Sequence, residues 1–214
     1  MTDKPFSPSC ERNREPILAV LREQFAECHR VLEIGSGTGQ HAVCFAAAMP
    51  WLRWQCSDRA EHLPGIRTWL DEAALPNTPA PVELDVAVKP WLQPALDPAP
   101  PSSAAAGGAS PTFDAAFSAN TLHIMGWPEV EAFFAGVNAV LGESATLVVY
   151  GPFNYGGAYS SPSNREFAGW LQARDSASGI RDFEAVDRLA HGIGLRLVED
   201  VAMPANNRCL VWRR

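Results

Sequence analysis

An acid followed by three glycines at alternate positions, Glu33-Ile34-Gly35-Ser36-Gly37-Thr38-Gly39, is the segment of this sequence best suited to holding a ligand. Glycines let the backbone turn sharply and let a ligand approach without meeting a Cβ. The run before them, Arg30-Val31-Leu32-Glu33-Ile34, reads as a short buried strand, so the loop stands at a strand end. A dinucleotide fingerprint, G-x-G-x-x-G, would put its third glycine at position 40, which holds Gln40. That spacing disfavours a nicotinamide-dependent oxidoreductase. Asp58 closes the next strand about 20 residues on, where Rossmann-like folds place an acid on ribose hydroxyls. A carboxylate can accept from both hydroxyls at once, and its charge strengthens those bonds. The plainer alternatives are a tight strand-to-helix turn and a solvated turn acid.

The acid-x-G-x-G-x-G pattern after a strand resembles motif I of the class I S-adenosylmethionine-dependent methyltransferases. The resemblance implies that Glu33, Gly35, Ser36, Gly37, Thr38, Gly39 and His41 surround S-adenosylmethionine. It implies that Asp58 holds the ribose and that Asp85-Val86, at the end of the third strand, meets the adenine. It also implies that Ser118-Ala119-Asn120-Thr121-Leu122-His123-Ile124 passes beneath the cofactor, with Asn120 in contact and His123 near the methyl group. Further phrases resemble a narrower bacterial and animal family typified by methyltransferase-like protein 26. They are Ser9-Cys10-Glu11-Arg12-Asn13-Arg14-Glu15-Pro16-Ile17, Gln40-His41-Ala42, Tyr150-Gly151-Pro152-Phe153, Ser163-Asn164, Gly179-Ile180-Arg181-Asp182 and Met203-Pro204-Ala205-Asn206-Asn207. That family implies a seven-stranded Rossmann-like fold and the same cofactor, without a particular methyl acceptor.

The other candidate residues can be read physically. Tyr150, Phe153 and Asn154 follow the fifth strand at the sheet edge that carries the glycine loop. Aromatics beside amides make a pocket that orients a planar or apolar molecule. Asn164, Arg181 and Asn207 would add polar walls, although Asn and Asp also serve as turn scaffolding. Arg12 and Asn13 would reach the cofactor if the first helix folds over it; the alternative is helix capping. His123 is the first choice for a general base and Tyr150 the second, against a structural role for a lone histidine. No cluster of His, Cys and carboxylates has metal-ligand spacing, so no metal is expected. The competing reading is a module that binds S-adenosylmethionine or a protein partner without catalysis.

These residues need a scaffold of alternating strands and helices. The spacing predicts a helix over 13–27, capped by Asn13 with Pro16 in its first turn. Strands follow at 30–34, 52–56, 82–86, 113–118, 145–150, 195–201 and 208–212. Helices fall at 41–49, 66–73, 130–141 (closed by Gly142), 166–173 and 183–191. Strand–helix alternation implies an α/β fold with a mostly parallel sheet and helices on both faces, and the methyltransferase resemblance implies that the sheet is Rossmann-like and seven-stranded. The whole chain then reads as one methyltransferase-like domain. Its one interruption is 94–111, a Pro/Ala/Gly/Ser run with almost nothing apolar to bury, expected to be a flexible, dispensable insertion.

Composition narrows the partners. The chain has 214 residues and a formal net charge of −7, which works against bulk nucleic-acid binding and favours a small-molecule acceptor. No apolar run approaches the ~20 residues of a membrane span. The polar N-terminus lacks a leader pattern, so a cytoplasmic location is expected. Five scattered cysteines, at 10, 28, 44, 56 and 209, do not make a disulfide framework.

Overall fold

A computed structural model describes residues 4–91 and 113–214. The segment 94–111 lies outside the described residues.

Helix α1 spans Pro8–Gln24, β1 Arg30–Ile34, α2 Gln40–Ala48, β2 Arg53–Asp58, α3 Leu63–Ala73 and β3 Val82–Glu83. Then come β4 Phe113–Ala119, α4 Trp127–Val140, β5 Leu141–Gly151, β6 Phe153–Asn154, α5 Pro162–Arg174 and β7 Arg181–Asp182. The chain ends with α6 Phe183–Gly192, β8 Arg196–Met203 and β9 Asn207–Arg213. The main sheet has seven strands in the order β3-β2-β1-β4-β5-β9-β8. β9 runs antiparallel to both neighbours, and the other main-sheet pairings are parallel. β6 and β7 form a separate parallel pair. This is the α/β architecture that the strand–helix alternation predicts.

Neighbouring residues on a strand face opposite sides, and both sides of this sheet are covered. Val31 of β1 and Phe117 of β4 join Ile17, Leu21, Phe45 and Trp54 in the core beneath α1, α2 and α3. Leu32, Ile34 and Ala116 join Phe133, Phe134, Val186 and Trp212 in the core beneath α4 and α6. From β1 the chain adds β2 and β3 on one side, then returns to place β4 on the other. The carboxyl ends of β1 and β4 therefore flank the switch point where such sheets bind ligands.

Three local expectations are corrected. The first helix starts at Pro8, a residue type favoured at the first helical position, so Asn13 lies mid-helix and is no cap. Pro16 therefore sits inside α1, where it removes the bond that would reach the Arg12 carbonyl. Gly142 does not close α4: β5 begins at Leu141, and the Gly142 carbonyl accepts from Arg214 Nε at 2.8 Å.

Candidate functional site

A cavity of about 1230 Å³ opens at this switch point. Single-ligand pockets usually hold ~300–1,000 Å³, so the volume is ample for a ligand of cofactor size. One wall comes from the glycine loop (Gly35, Ser36, Gly37, Thr38), from His41 at the start of α2 and from Glu61 and His62 after β2. α1 roofs it with Ser9, Cys10, Arg12 and Asn13. The opposite wall carries Asn120 and His123 after β4, Tyr150 and Pro152 around the end of β5, Asn164, Phe167 and Trp170 of α5, and Asn207.

Gly35 has φ +76°, and a Cβ there would lie 2.5 Å from Thr121 Cγ2, so only glycine lets the loop pack on the segment after β4. Gly37 has φ +58° and nothing within 4 Å of where its Cβ would be, which leaves the loop face open to a ligand. Its N–H donates to Asp58 Oδ2 at 2.7 Å, and Asp58 Oδ1 accepts from the Arg59 N–H at 2.8 Å. Asp58 thus braces the loop from beside the cavity, and it is not a lining residue. Glu33 is buried beneath the loop, where Trp54 Nε1 donates to its Oε2 at 3.0 Å. Burial pushes its carboxyl up to about 7. Gly39 caps α2 outside the lining. Asp85 and Val86 also lie outside it: Val86 is core, and Asp85 Oδ1 accepts from the Ala87 N–H within its own turn. Gly35 to Thr38, His41, Asn120, Arg12 and Asn13 come together around the cavity, whereas Glu33, Gly39, Asp58, Asp85 and Val86 are not among its lining residues.

His41 Nε2 lies 2.8 Å from Asn13 Oδ1. Burial lowers the imidazole to about 4, so it is neutral and Nε2 carries the proton. Its Nδ1 then faces Cys10 Sγ at 4.0 Å. The Tyr150 hydroxyl interacts with the side chains of Asn13 and Asn207. One polar chain therefore ties α1, α2, β5 and β9 together around the cavity. Burial raises the Tyr150 phenol above its ordinary value, which makes it a hydroxyl donor rather than a base at neutral pH.

His123 is buried, lines the cavity and packs edge-on against Phe167 at 5.3 Å. Burial, then the nearby Arg181 cation, lowers its imidazole to about 4. Arg181 itself is not a cavity residue. Its Nε donates to the Leu122 carbonyl at 3.0 Å, and its Nη2 donates to the carbonyls of Met125 and of Ala177, the latter at 2.8 Å. The Gly179 N–H donates to the His123 carbonyl at 2.9 Å. The expected substrate-binding cation is thus a clamp on the segment that carries His123. Phe153 is also corrected: it is 1% exposed and belongs to the core beneath α4. Asn154 donates to the Ile180 carbonyl at 3.3 Å, joining β6 to β7. Asn164 and Asn207 do line the cavity. Asn164 Nδ2 donates to the Asn206 carbonyl at 3.1 Å and fastens α5 to the turn before β9.

Phe167 and Trp170 escaped the reading of the sequence. Their stacked rings, with centroids 5.8 Å apart, would have shown only as aromatics three residues apart in a helix. Among the described residues, no group of three or more His, Cys, Asp or Glu could hold a metal ion. No helix among them is long and apolar enough to cross a membrane.

The family model described as a protein of unknown function (DUF938) matches residues 4–214, and the chain belongs to that family. Solved structures with the same fold include an O-methyltransferase family protein from Burkholderia thailandensis, at 13% identity and a TM-score of 0.74, over 94% of this chain and 55% of that one. Mitomycin 7-O-methyltransferase matches at 16% identity and a TM-score of 0.76, over 96% and 54%. Human N-acetylserotonin methyltransferase, solved with S-adenosylmethionine, matches at 13% and 0.71, over 96% and 52%. The chain spans about half the length of these structures. The fold is that of class I methyltransferases.

Proposed function

We propose that this member of the DUF938 family is an S-adenosylmethionine-dependent methyltransferase of the cytoplasm, acting on a small molecule. The observation that carries the reading is one cavity at the β1/β4 switch point that joins the open glycine loop to the neutral His123. The loop residues Gly35 to Thr38, with Arg12, Asn13, His41 and Asn120, hold the cofactor. When bound, S-adenosylmethionine supplies an activated sulfonium methyl group. Methyl transfer then needs chiefly a positioned acceptor, which proximity can supply. His123 accepts the acceptor's proton through a ring nitrogen, in keeping with its uncharged state at neutral pH. Tyr150, Asn164 and Asn207 orient the acceptor. Asp58 acts through the loop, by holding the Gly37 N–H. The methyltransferase neighbours and the cavity volume support this reading.

The test is transfer of a labelled methyl group from S-adenosylmethionine to components of a metabolite extract. The reading expects a labelled small product whose formation falls at least tenfold in His123→Ala. Cofactor binding with no labelled product would favour the non-catalytic module instead.

A further inference from the structure

The structure assigns the far wall of the cavity to an uncharged, planar aromatic hydroxyl compound, selected by Phe167 and Trp170. This inference rests on the methyl-transfer reading above and names its acceptor class.

The wall contributed by β4, β5, α5 and the turn before β9 includes His123, Tyr150, Pro152, Asn164, Phe167 and Trp170. Among the described lining residues, none on that wall carries a charge. Arg12 and Glu61 line the cavity from α1 and from the segment after β2, on the glycine-loop side. His123 is neutral because burial disfavours its cation. A phosphate, carboxylate or ammonium group against this wall would lose water and meet no charged lining side chain, since Arg174 lies over the Trp170 ring and Arg181 is engaged with backbone carbonyls. An uncharged ring loses little.

The wall is also aromatic in a continuous row. The His123 ring meets Phe167 at 5.3 Å, and Phe167 stacks with Trp170 with planes 17° apart. The Arg174 guanidinium lies over the Trp170 ring at 4.6 Å. Contacts to both Phe167 and Arg174 hold the indole in place, although Trp170 is 51% exposed. Single exposed apolar residues are ordinary. This one extends a row of rings that begins inside the cavity at His123. Pre-positioned aromatics give contact area with little entropy left to lose on binding. The hydroxyl belongs at the His123 end. There the oxygen lone pair forms the O–CH3 bond as the S–CH3 bond of the sulfonium donor breaks. The sulfur leaves as a neutral thioether, and the O-protonated ether so formed, a far stronger acid than an imidazolium, gives up its proton to the His123 imidazole.

The test is calorimetry on the full chain saturated with S-adenosylhomocysteine. The probes are 2-naphthol and 8-hydroxyquinoline, set against the charged counterparts 3-hydroxy-2-naphthoate and 2-naphthyl phosphate. The neutral compounds should bind at least tenfold more tightly than the charged ones. Trp170→Ala should weaken 2-naphthol at least tenfold, with affinity for S-adenosylhomocysteine kept within twofold. Phe167→Leu should act in the same direction. Equal or tighter binding of the charged compounds, no binding of either neutral one, or an unchanged affinity in Trp170→Ala overturns the inference and leaves the methyltransferase reading standing. Failure of the wild-type protein to bind S-adenosylhomocysteine rejects both.

Discussion

Asn13, in the middle of α1, and His41, in the first turn of α2, meet at 2.8 Å on the rim of the cavity, both of them buried. The contact fastens the helix that roofs the cavity to the helix that follows the glycine loop. Asn13→Ala leaves the His41 Nε2–H without an acceptor in a buried place. The expected cost is about 1–3 kcal/mol. In a chain of this size that lowers the thermal midpoint by about 2–12 °C. Scanning calorimetry on the two proteins checks it, and an unchanged midpoint would show that the contact contributes nothing.

Arg181 is expected to be a positioning residue. Arg181→Lys keeps a positive charge, but one ammonium cannot span the carbonyls of Leu122, Met125 and Ala177. Turnover should fall several-fold and affinity for S-adenosylhomocysteine should hold. The His123 imidazole should stay depressed in an NMR titration, since the charge remains. A loss of cofactor affinity instead would place Arg181 in the binding machinery.

Stability should depend on pH through two opposing sets of groups. Burial lowers His41 and His123 to about 4 in the folded chain, so the unfolded chain takes up their protons first on acidification. Their contribution is complete above about 6.5 and is lost as pH falls towards about 4. Glu33 is raised to about 7, so its contribution is complete below the ordinary carboxylate value and is lost as pH rises to about 7. Each group changes stability by up to about 1.4 kcal/mol per pH unit within its window. Glu33→Gln removes the opposing contribution. Its urea midpoint should therefore rise more steeply between pH 5 and pH 7 than that of the wild type. Parallel profiles would count against a protonated Glu33.

Asp58→Ala frees the Gly37 N–H, which now donates to a carboxylate at 2.7 Å. Bonds of that kind contribute about 1.5–3 kcal/mol. Affinity for S-adenosylhomocysteine should drop at least tenfold, equivalent to about 1.4 kcal/mol. Asp58→Asn keeps an acceptor oxygen and should lose less. Equal losses in the two variants would mean that Asp58 acts by charge alone.

The seven strands and the glycine loop were legible because their signals are local: apolar runs of strand length, and glycines where the backbone takes φ +76° and +58°. Residues whose partners are distant in sequence were misread. Arg181 looked like a substrate cation, yet it holds the carbonyl of Leu122, 59 positions upstream. Phe153 looked like a pocket aromatic beside Tyr150, but its side chain is in the core and that of Tyr150 reaches the cavity. Asn13 suited a cap until Pro8 took the helix start. Phe167 and Trp170 carried no signal, because an aromatic pair in a helix looks the same whether it faces a core or a cavity.

The central claim is that the Gly35–Thr38 loop binds the methyl donor. Isothermal calorimetry with S-adenosylmethionine and S-adenosylhomocysteine, on the wild type and on Gly37→Val, tests it most directly. Valine at φ +58° strains the loop backbone and puts a branched side chain on its open face. The account predicts saturable one-to-one binding by the wild type and at least a tenfold loss in a Gly37→Val protein that still melts cooperatively. No binding by the wild type, or equal binding by the folded variant, would contradict it.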